Sequence, residues 1–327
     1  MKKFMNSTDT MLRESLSGFA QCHRDIVTLD SEFRFVRRAQ IKRGKVGLIS
    51  GGGSGHEPLH TGFVGHGMLD AACPGQVFTS PTPDQIVAAA EAVDAGAGVL
   101  FIVKNYAGDV MNFSLAAEMC GGNADTLVID DDVALEKSMQ GRRGVAGTMV
   151  VEKMLGAAAE AGADLPALKR LGTSVNGSTR SMGVALTSCT VPAVGKPTFD
   201  IADNEMEVGV GIHGEAGRRR VAMKHADEIA KELVDAITDD FGASGRADVL
   251  LMINGFGATP LLELHLMYDA ALRQLAKHEL AAGRGMVGNY VTSLDMAGCS
   301  VTVTLLNAEL TELWDAPVHT AALRWRI

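Results

Sequence analysis

Three short stretches of the sequence place reactive groups where a small molecule can reach them. Residues 50–58 read SGGGSGHEP, so an imidazole and a carboxylate follow nearly bare backbone. Residues 104–113 read KNYAGDVMNF, with Lys104 closing an apolar run and Asp109 in the loop beyond it. Residues 208–214 read VGVGIHG and set His213 among glycines. A neutral imidazole nitrogen adds to a ketone carbonyl if a neighbouring group keeps it uncharged and oriented. A turn histidine that only hydrogen-bonds its own loop fits the same residues. In the first stretch the loop N–H groups can hold an oxygen-rich ligand, and His56 can bond a hydroxyl or act as a base. Glu57 and Pro58 read as a helix start. His60 and His66 have no such glycine context and read as structural. Lys104 can donate to a carbonyl or hydroxyl and Asp109 can take a proton; a loop salt bridge with Asp109 capping the next helix is equally open.

These groups sit where an α/β chain puts them. VGLIS runs into the glycine loop, VLFIVK into NYAGDVMN and TLVI into DDD, apolar strands ending in loops. Such loops at the carboxyl ends of strands carry function in these sheets. The spacing predicts a helix over 83–95, one or two helices over 144–171, a strand-like return in SMGVALTSCTVPAV, and strand then loop in EVGVGIHG. It further predicts an amphipathic helix over 226–241, a buried strand in VLLMING, a long helix over 259–280 and a β-hairpin in GNYVTSLDMAGCSVTVTLL. The fold class is α/β in two domains: residues 1–182 with a largely parallel sheet and flanking helices, and residues 183–327 with a smaller mixed sheet and helices.

At 327 residues, 46% hydrophobic and 21% charged, the chain reads as globular with about two cores. A net charge of -9 argues against nucleic acid, the basic groups being the short runs Arg142–Arg143 and Arg218–Arg219–Arg220. Five scattered cysteines, none spaced C-x-x-C, suggest reduced thiols rather than a disulfide framework or zinc site. The polar N-terminal stretch lacks the apolar core of a signal peptide, and no segment is long and apolar enough for a bilayer, so a cytoplasmic protein is expected.

The familiar nucleotide motifs fail on context. Gly195-Lys196-Pro197 lacks the upstream glycine and the hydroxyl of a P-loop. Gly209, Gly211 and Gly214 match G-x-G-x-x-G in letters, but Gly217 and three arginines stand where the phosphate-binding helix should run. Asp130, Asp131 and Asp132 read as a strand end and helix cap rather than a metal site, because adjacent side chains on extended backbone point to opposite faces.

Taken together, GGGSGHEP, CPGQVFTSPTPDQI, VKNYAGDVMNF, VIDDDVAL, GRRGVAGT, CTVPAVGKP, ADNEMEVGVGIHGEAG, NGFGATPLLEL, TSLDMAGCSVT and WDAPVHT resemble the substrate-binding K subunits of the dihydroxyacetone kinase family over nearly the whole chain. The resemblance implies that the glycine loop grips a small ketose and that His213 captures its carbonyl as a hemiaminal. It implies acid/base roles for His56 and Asp109, and substrate contacts from Gly53, Ser54, Gly55, His56, Lys104, Asp109 and His213. No metal and no cofactor is implied on this chain. ADP or ATP with magnesium is expected on a separate L-type partner subunit, supplied through a phosphotransferase system or by ATP directly, and a homodimer is expected. Dihydroxyacetone is the implied substrate; erythrulose is a rival, and a non-catalytic ketone-sensing co-regulator is an alternative. Thr179-Arg180 replace a glycine-histidine pair of bacterial K subunits, and the segment between Gly217 and Ala247 is short, both bearing on the pocket rim or partner surface.

Overall fold

Strand and helix alternate along the chain in the computed structural model, which describes residues 2–135, 141–215, 217–242 and 246–327. In order, α1 (Met11–Cys22) leads to β1 (Val27–Leu29), β2 (Val36–Arg38), β3 (Gly47–Ser54), β4 (Gly65–His66) and β5 (Ala71–Val77). Next come α2 (Pro83–Val93), β6 (Val99–Lys104), α3 (Ala107–Met119), β7 (Ala124–Ile129), α4 (Gly147–Glu160) and α5 (Leu165–Gly177). Then β8 (Thr179–Ala185), β9 (Glu205–Val208), β10 (Arg219–Ala222), α6 (Ala226–Phe241), β11 (Ala247–Gly255), α7 (Leu261–Lys277) and β12 (Leu280–Gly288) follow. The chain closes with β13 (Gly298–Leu306), α8 (Ala308–Asp315), β14 (Val318–Thr320) and β15 (Arg324–Trp325).

Two compact units emerge, and they interleave in sequence. One comprises Met1–Ile129, Thr148–Val175 and Glu312–Ile327; the other comprises Asp130–Gly147 and Asn176–Thr311. Where the sequence suggests a single boundary near residue 182, residues 130–147 and 176–182 group instead with the second unit, and the last residues return to the first. The return has a local cause: β14 pairs with both β15 and β4 in a small three-stranded sheet.

The first unit is built on a six-stranded sheet ordered β1-β2-β5-β3-β6-β7. Its β5, β3, β6 and β7 run parallel, while β1 and β2 are antiparallel. Every residue of β3 and β6 is buried, which explains why GLISG and VLFIV are apolar without alternation. Ile49, Phe101, Ile86 and Phe113 pack in the core beneath α2 and α3. Helix α2 starts where the sequence suggests, with Pro83 in its first turn and Gln85 accepting the Thr82 N–H at 2.9 Å.

The second unit carries a mixed six-stranded sheet, β10-β9-β8-β13-β11-β12, in which, among the described residues, only β11 and β12 are parallel. Ile229, Leu233 and Ile237 of α6 and Leu264, Ala271 and Leu275 of α7 pack with Val249, Leu251, Val301 and Val303. The hairpin expected after residue 287 does not form. Instead β12 and β13 lie on opposite edges of β11, because the apolar β11 is buried and takes a strand on each side. Thr179 is buried in β8 against the Thr304 hydroxyl, and Arg180 pairs with Asp240. Residues 243–245 of the short segment lie outside the described residues.

Candidate functional site

The glycine loop is the carboxyl end of β3, between β5 and β6, the position at which parallel α/β sheets present ligands. Its bare backbone has identifiable neighbours. A Cβ built at Gly53 would stand 2.6 Å from both Phe78 Cα and Thr79 N, so glycine lets the strand after β5 pass closely. Phe78 then stacks on the His56 ring, centroids 5.1 Å apart and planes 19° apart. A Cβ at Gly52 would fall on Nζ of Lys104.

Ser54 donates its hydroxyl to the Gly75 carbonyl at 2.7 Å, and Gly55 donates its N–H to the Glu57 carboxylate at 2.9 Å. Burial pushes the Glu57 carboxyl up, with that backbone N–H pulling against it. Glu57 and Pro58 therefore form a turn, followed by a 3-10 turn at Thr61–Phe63, in place of the helix start the sequence suggests. The carboxylate that would face a helix N-terminus is used on its own loop.

Lys104 ends β6 fully buried, and its ammonium has three acceptors around it. Nζ donates to the Gly51 carbonyl at 3.1 Å, lies 2.8 Å from Nε2 of His60 and stands 3.7 Å from Oδ2 of Asp109. Asp109 sits in the first turn of α3, whose dipole favours a carboxylate; the N-cap position belongs to Tyr106, so Asp109 does not cap the helix. Oδ1 of Asp109 has no hydrogen-bond partner among the described residues although the residue is only 2% exposed. Unmet and dry, that oxygen is suited to a ligand hydroxyl.

His60, which the sequence assigns to structure, is thus part of this group. Its Nδ1 lies 2.6 Å from Oε1 of Glu152 on α4. Burial lowers the His60 pKa far below its ordinary value, and Lys104 and His56 add to the effect. Burial likewise lowers Lys104, against the pull of Asp109 and Glu152. It raises Glu152 to about 8, against Lys104 and the Ser50 hydroxyl. Only the four-residue spacing of the two imidazoles in HEPLH could have flagged His60, and nothing local marks Glu152, which comes from a helix 92 residues on.

His213 belongs to the other unit, in the bend between β9 and β10. Glu215 holds it twice: its Oε2 accepts the His213 backbone N–H at 2.9 Å and its Oε1 lies 3.3 Å from Nδ1. The carboxylate selects the tautomer with the proton on Nδ1, which makes Nε2 the basic nitrogen. Gly211 is bare where these groups converge: a Cβ there would meet Glu215 Oε2 and stand 2.6 Å from Nη1 of Arg143. Arg143 donates Nε to Asp132 at 2.7 Å and Nη2 to the Gly209 carbonyl at 2.8 Å. Burial works to raise the Glu215 pKa, but the His213 hydrogen bond, the His213 charge and Arg143 prevail and hold it at about 2. For Asp132 burial wins over Arg143 and raises it to about 6.

The aspartate run divides its work. Asp131 accepts the N–H groups of Val145 at 2.8 Å and Gly147 at 2.7 Å, closing the entrance to α4, and takes the Ser181 hydroxyl. Asp132 serves Arg143, and Asp130 pairs with Asn176. Among the described residues no group of three or more His, Cys, Asp or Glu is placed to hold a metal ion, and no helix is long and apolar enough to cross a membrane.

Residues 17–322 match the Dak1 domain model. The chain is 45% identical to the PEP-dependent dihydroxyacetone kinase, dihydroxyacetone-binding subunit DhaK, of Escherichia coli over 99% of each chain. It is 46% identical to the corresponding PTS-dependent kinase 1 subunit of Listeria innocua, over 98% of this chain and all of that one. Among solved structures, the dihydroxyacetone kinase operon co-activator Dha-DhaQ superposes with a TM-score of 0.89 at 33% identity, covering 94% of this chain and 96% of that one. The dihydroxyacetone kinase of C. freundii gives 0.89 at 34% identity; 99% of this chain covers 60% of that larger one.

Proposed function

The chain belongs to the Dak1 family of dihydroxyacetone kinases, and we propose that it is the substrate-binding subunit, which captures a short ketose on His213. The observation that carries this reading is the Glu215–His213 pair in a glycine-lined bend, in a chain that matches dihydroxyacetone-binding subunits end to end. With its proton on Nδ1, the ring offers the Nε2 lone pair to the carbonyl carbon. The C–N bond forms as the carbonyl π pair moves to oxygen, which then takes a proton. Positive charge developing on the ring faces Glu215, which stays ionised at neutral pH.

His56 and Asp109 are proposed as the acid/base groups for the carbonyl oxygen and the hydroxyl to be phosphorylated. Gly53, Ser54, Gly55 and Lys104 complete the proposed substrate contacts. Covalent capture discriminates by chemistry: glycerol is of similar size but has no electrophilic carbon. Pinning the triose also supplies the positioning on which phosphoryl transfer depends.

The nucleotide, ADP or ATP with magnesium, is proposed to reside on an L-type partner. In support, a C. freundii kinase solved with AMP-PNP and magnesium is a larger chain, of which this one spans 61%. The PEP- and PTS-dependent names of the relatives favour a phosphotransferase-system source and a cytoplasmic setting, and a homodimer is proposed. The likeness to a co-activator supports a second reading, ketone sensing without transfer. Intact mass spectrometry with dihydroxyacetone and erythrulose tests capture, and a phosphate-transfer assay with the L-type partner separates kinase from sensor. No adduct with either ketose would sink both readings.

A further inference from the structure

Glu152 and His60, neither of them assigned to the substrate, join Lys104 in an unbroken buried line, with contacts of 2.6 Å and 2.8 Å, and the line ends 3.7 Å from Asp109. His60 is 6% exposed and Lys104 and Glu152 are fully buried, so bulk water does not set their protons. The groups facing His60 are Glu152, Lys104 and His56, with Asp109 beyond Lys104 and Ser50 beside Glu152. Three acceptors around Nζ match the three donors of an ammonium. If Lys104 donates to Nε2, the ring proton must be on Nδ1, and Glu152 must accept it.

We propose that His60 and Glu152 are positioning residues that keep Lys104 a cation while Asp109 is a carboxylate, and take its proton when Asp109 is neutralised. The step balances internally: an Nζ–H bond breaks as Nε2–H forms, and Nδ1–H breaks as Oε1–H forms on Glu152. Lys104 becomes a neutral amine, His60 changes tautomer and Glu152 becomes a neutral acid. No oxidant or second reactant is needed. The physical reason is charge balance. When Asp109 takes the proton of a substrate hydroxyl, the ammonium loses its near carboxylate and keeps only Glu152, on the far side of the His60 ring; passing the proton along the line replaces that separated buried ion pair with neutral groups. The high proton affinity of the buried Glu152 suits it as the receiving end.

This inference rests on the proposed role of Asp109 as a base, but its test requires no ketose and so fails or succeeds separately from capture. The full chain, labelled with 15N in its histidine rings, is read by long-range proton–nitrogen correlation, with His60→Asn identifying the signal. The unaltered chain is expected to show the Nδ1–H tautomer at about pH 9, where Glu152, raised to about 8, is a carboxylate. Asp109→Asn should switch His60 to Nε2–H, and Asp109→Asn with Glu152→Gln should restore Nδ1–H, because the amide cannot receive the proton. An Nε2–H tautomer or an imidazolium in the unaltered chain overturns the proposal without any variant. So does an unchanged tautomer in Asp109→Asn, or in Asp109→Ser should the amide variant not fold.

Discussion

Gly52 and Lys104 occupy one space: the side chain that glycine lacks would sit on the lysine's ammonium. The run of glycines at the end of β3 therefore makes room for a buried lysine rather than for a nucleotide phosphate. Gly52→Ala should push Nζ off the Gly51 carbonyl and His60. Losing the equivalent of one charge-assisted hydrogen bond, about 1.5–3 kcal/mol, corresponds to a loss of ketose affinity or transfer of roughly 10- to 150-fold. The check is transfer rate beside a circular dichroism spectrum that stays native.

Gly53→Ala should fail differently. Its Cβ meets the backbone at Phe78 and Thr79, which cannot rotate away as a side-chain tip can. Overpacking of this kind costs about 1–3 kcal/mol. At roughly 2–4 °C per kcal/mol the melting temperature should fall by several degrees. A variant as stable as the parent would show that the loop relaxes freely.

His213→Ala should abolish the covalent mass increment with dihydroxyacetone while the circular dichroism spectrum stays native, with a melting temperature lower by a few degrees because Glu215 loses its partner. Glycerol should give no increment with either protein. A persistent adduct in the variant would place the nucleophile elsewhere.

Glu215→Gln should slow capture and change the acid limb of stability. The folded-state pKa of Glu215 is depressed, from an ordinary 4.5 to about 2. Its stabilisation is therefore present above the ordinary value and lost as pH falls toward 2. The melting-temperature gap between parent and variant should be steady from pH 5 to 7 and close between about pH 4.5 and 2. A gap that does not vary with pH would exclude an ionised Glu215 as its cause.

Arg143→Leu should be the most damaging change in the second unit. It leaves Asp132 buried without its cation and removes a donor from the Gly209 carbonyl. Breaking one partner of a buried pair costs about 3–5 kcal/mol. A melting temperature lowered by about 10 °C or more is expected, together with loss of capture because the His213 bend loses its support. Near-parental stability would mean that Arg143 contributes little to the bend.

Much of the fold was legible because burial leaves a plain trace: GLISG and VLFIV could only be doubly covered strands, and residues 226–241 show one apolar face. The hairpin that the sequence suggests over 288–306 is absent because pairing partners are chosen by the sheet rather than by chain neighbours, and β11 recruits β12 and β13 to opposite edges. Candidate reactive residues announced themselves through local context, such as glycines beside His213 or an apolar strand before Lys104. Their supports did not. Glu152 reaches His60 from α4, and Arg143 reaches the His213 bend from 66 residues upstream of Gly209, distances over which a single sequence carries no visible signal.

The small sheet of β4, β14 and β15 has a bearing on how the chain tolerates shortening. Ala322 donates its N–H to Gly62 at 3.0 Å, and Lys153, one residue after Glu152, donates to the Leu313 carbonyl at 2.8 Å. The closing residues thus brace both the turn that carries His60 and the helix that carries Glu152. A chain trimmed of residues 313–327 would keep every reactive group proposed above and lose the scaffolding that aims two of their supports.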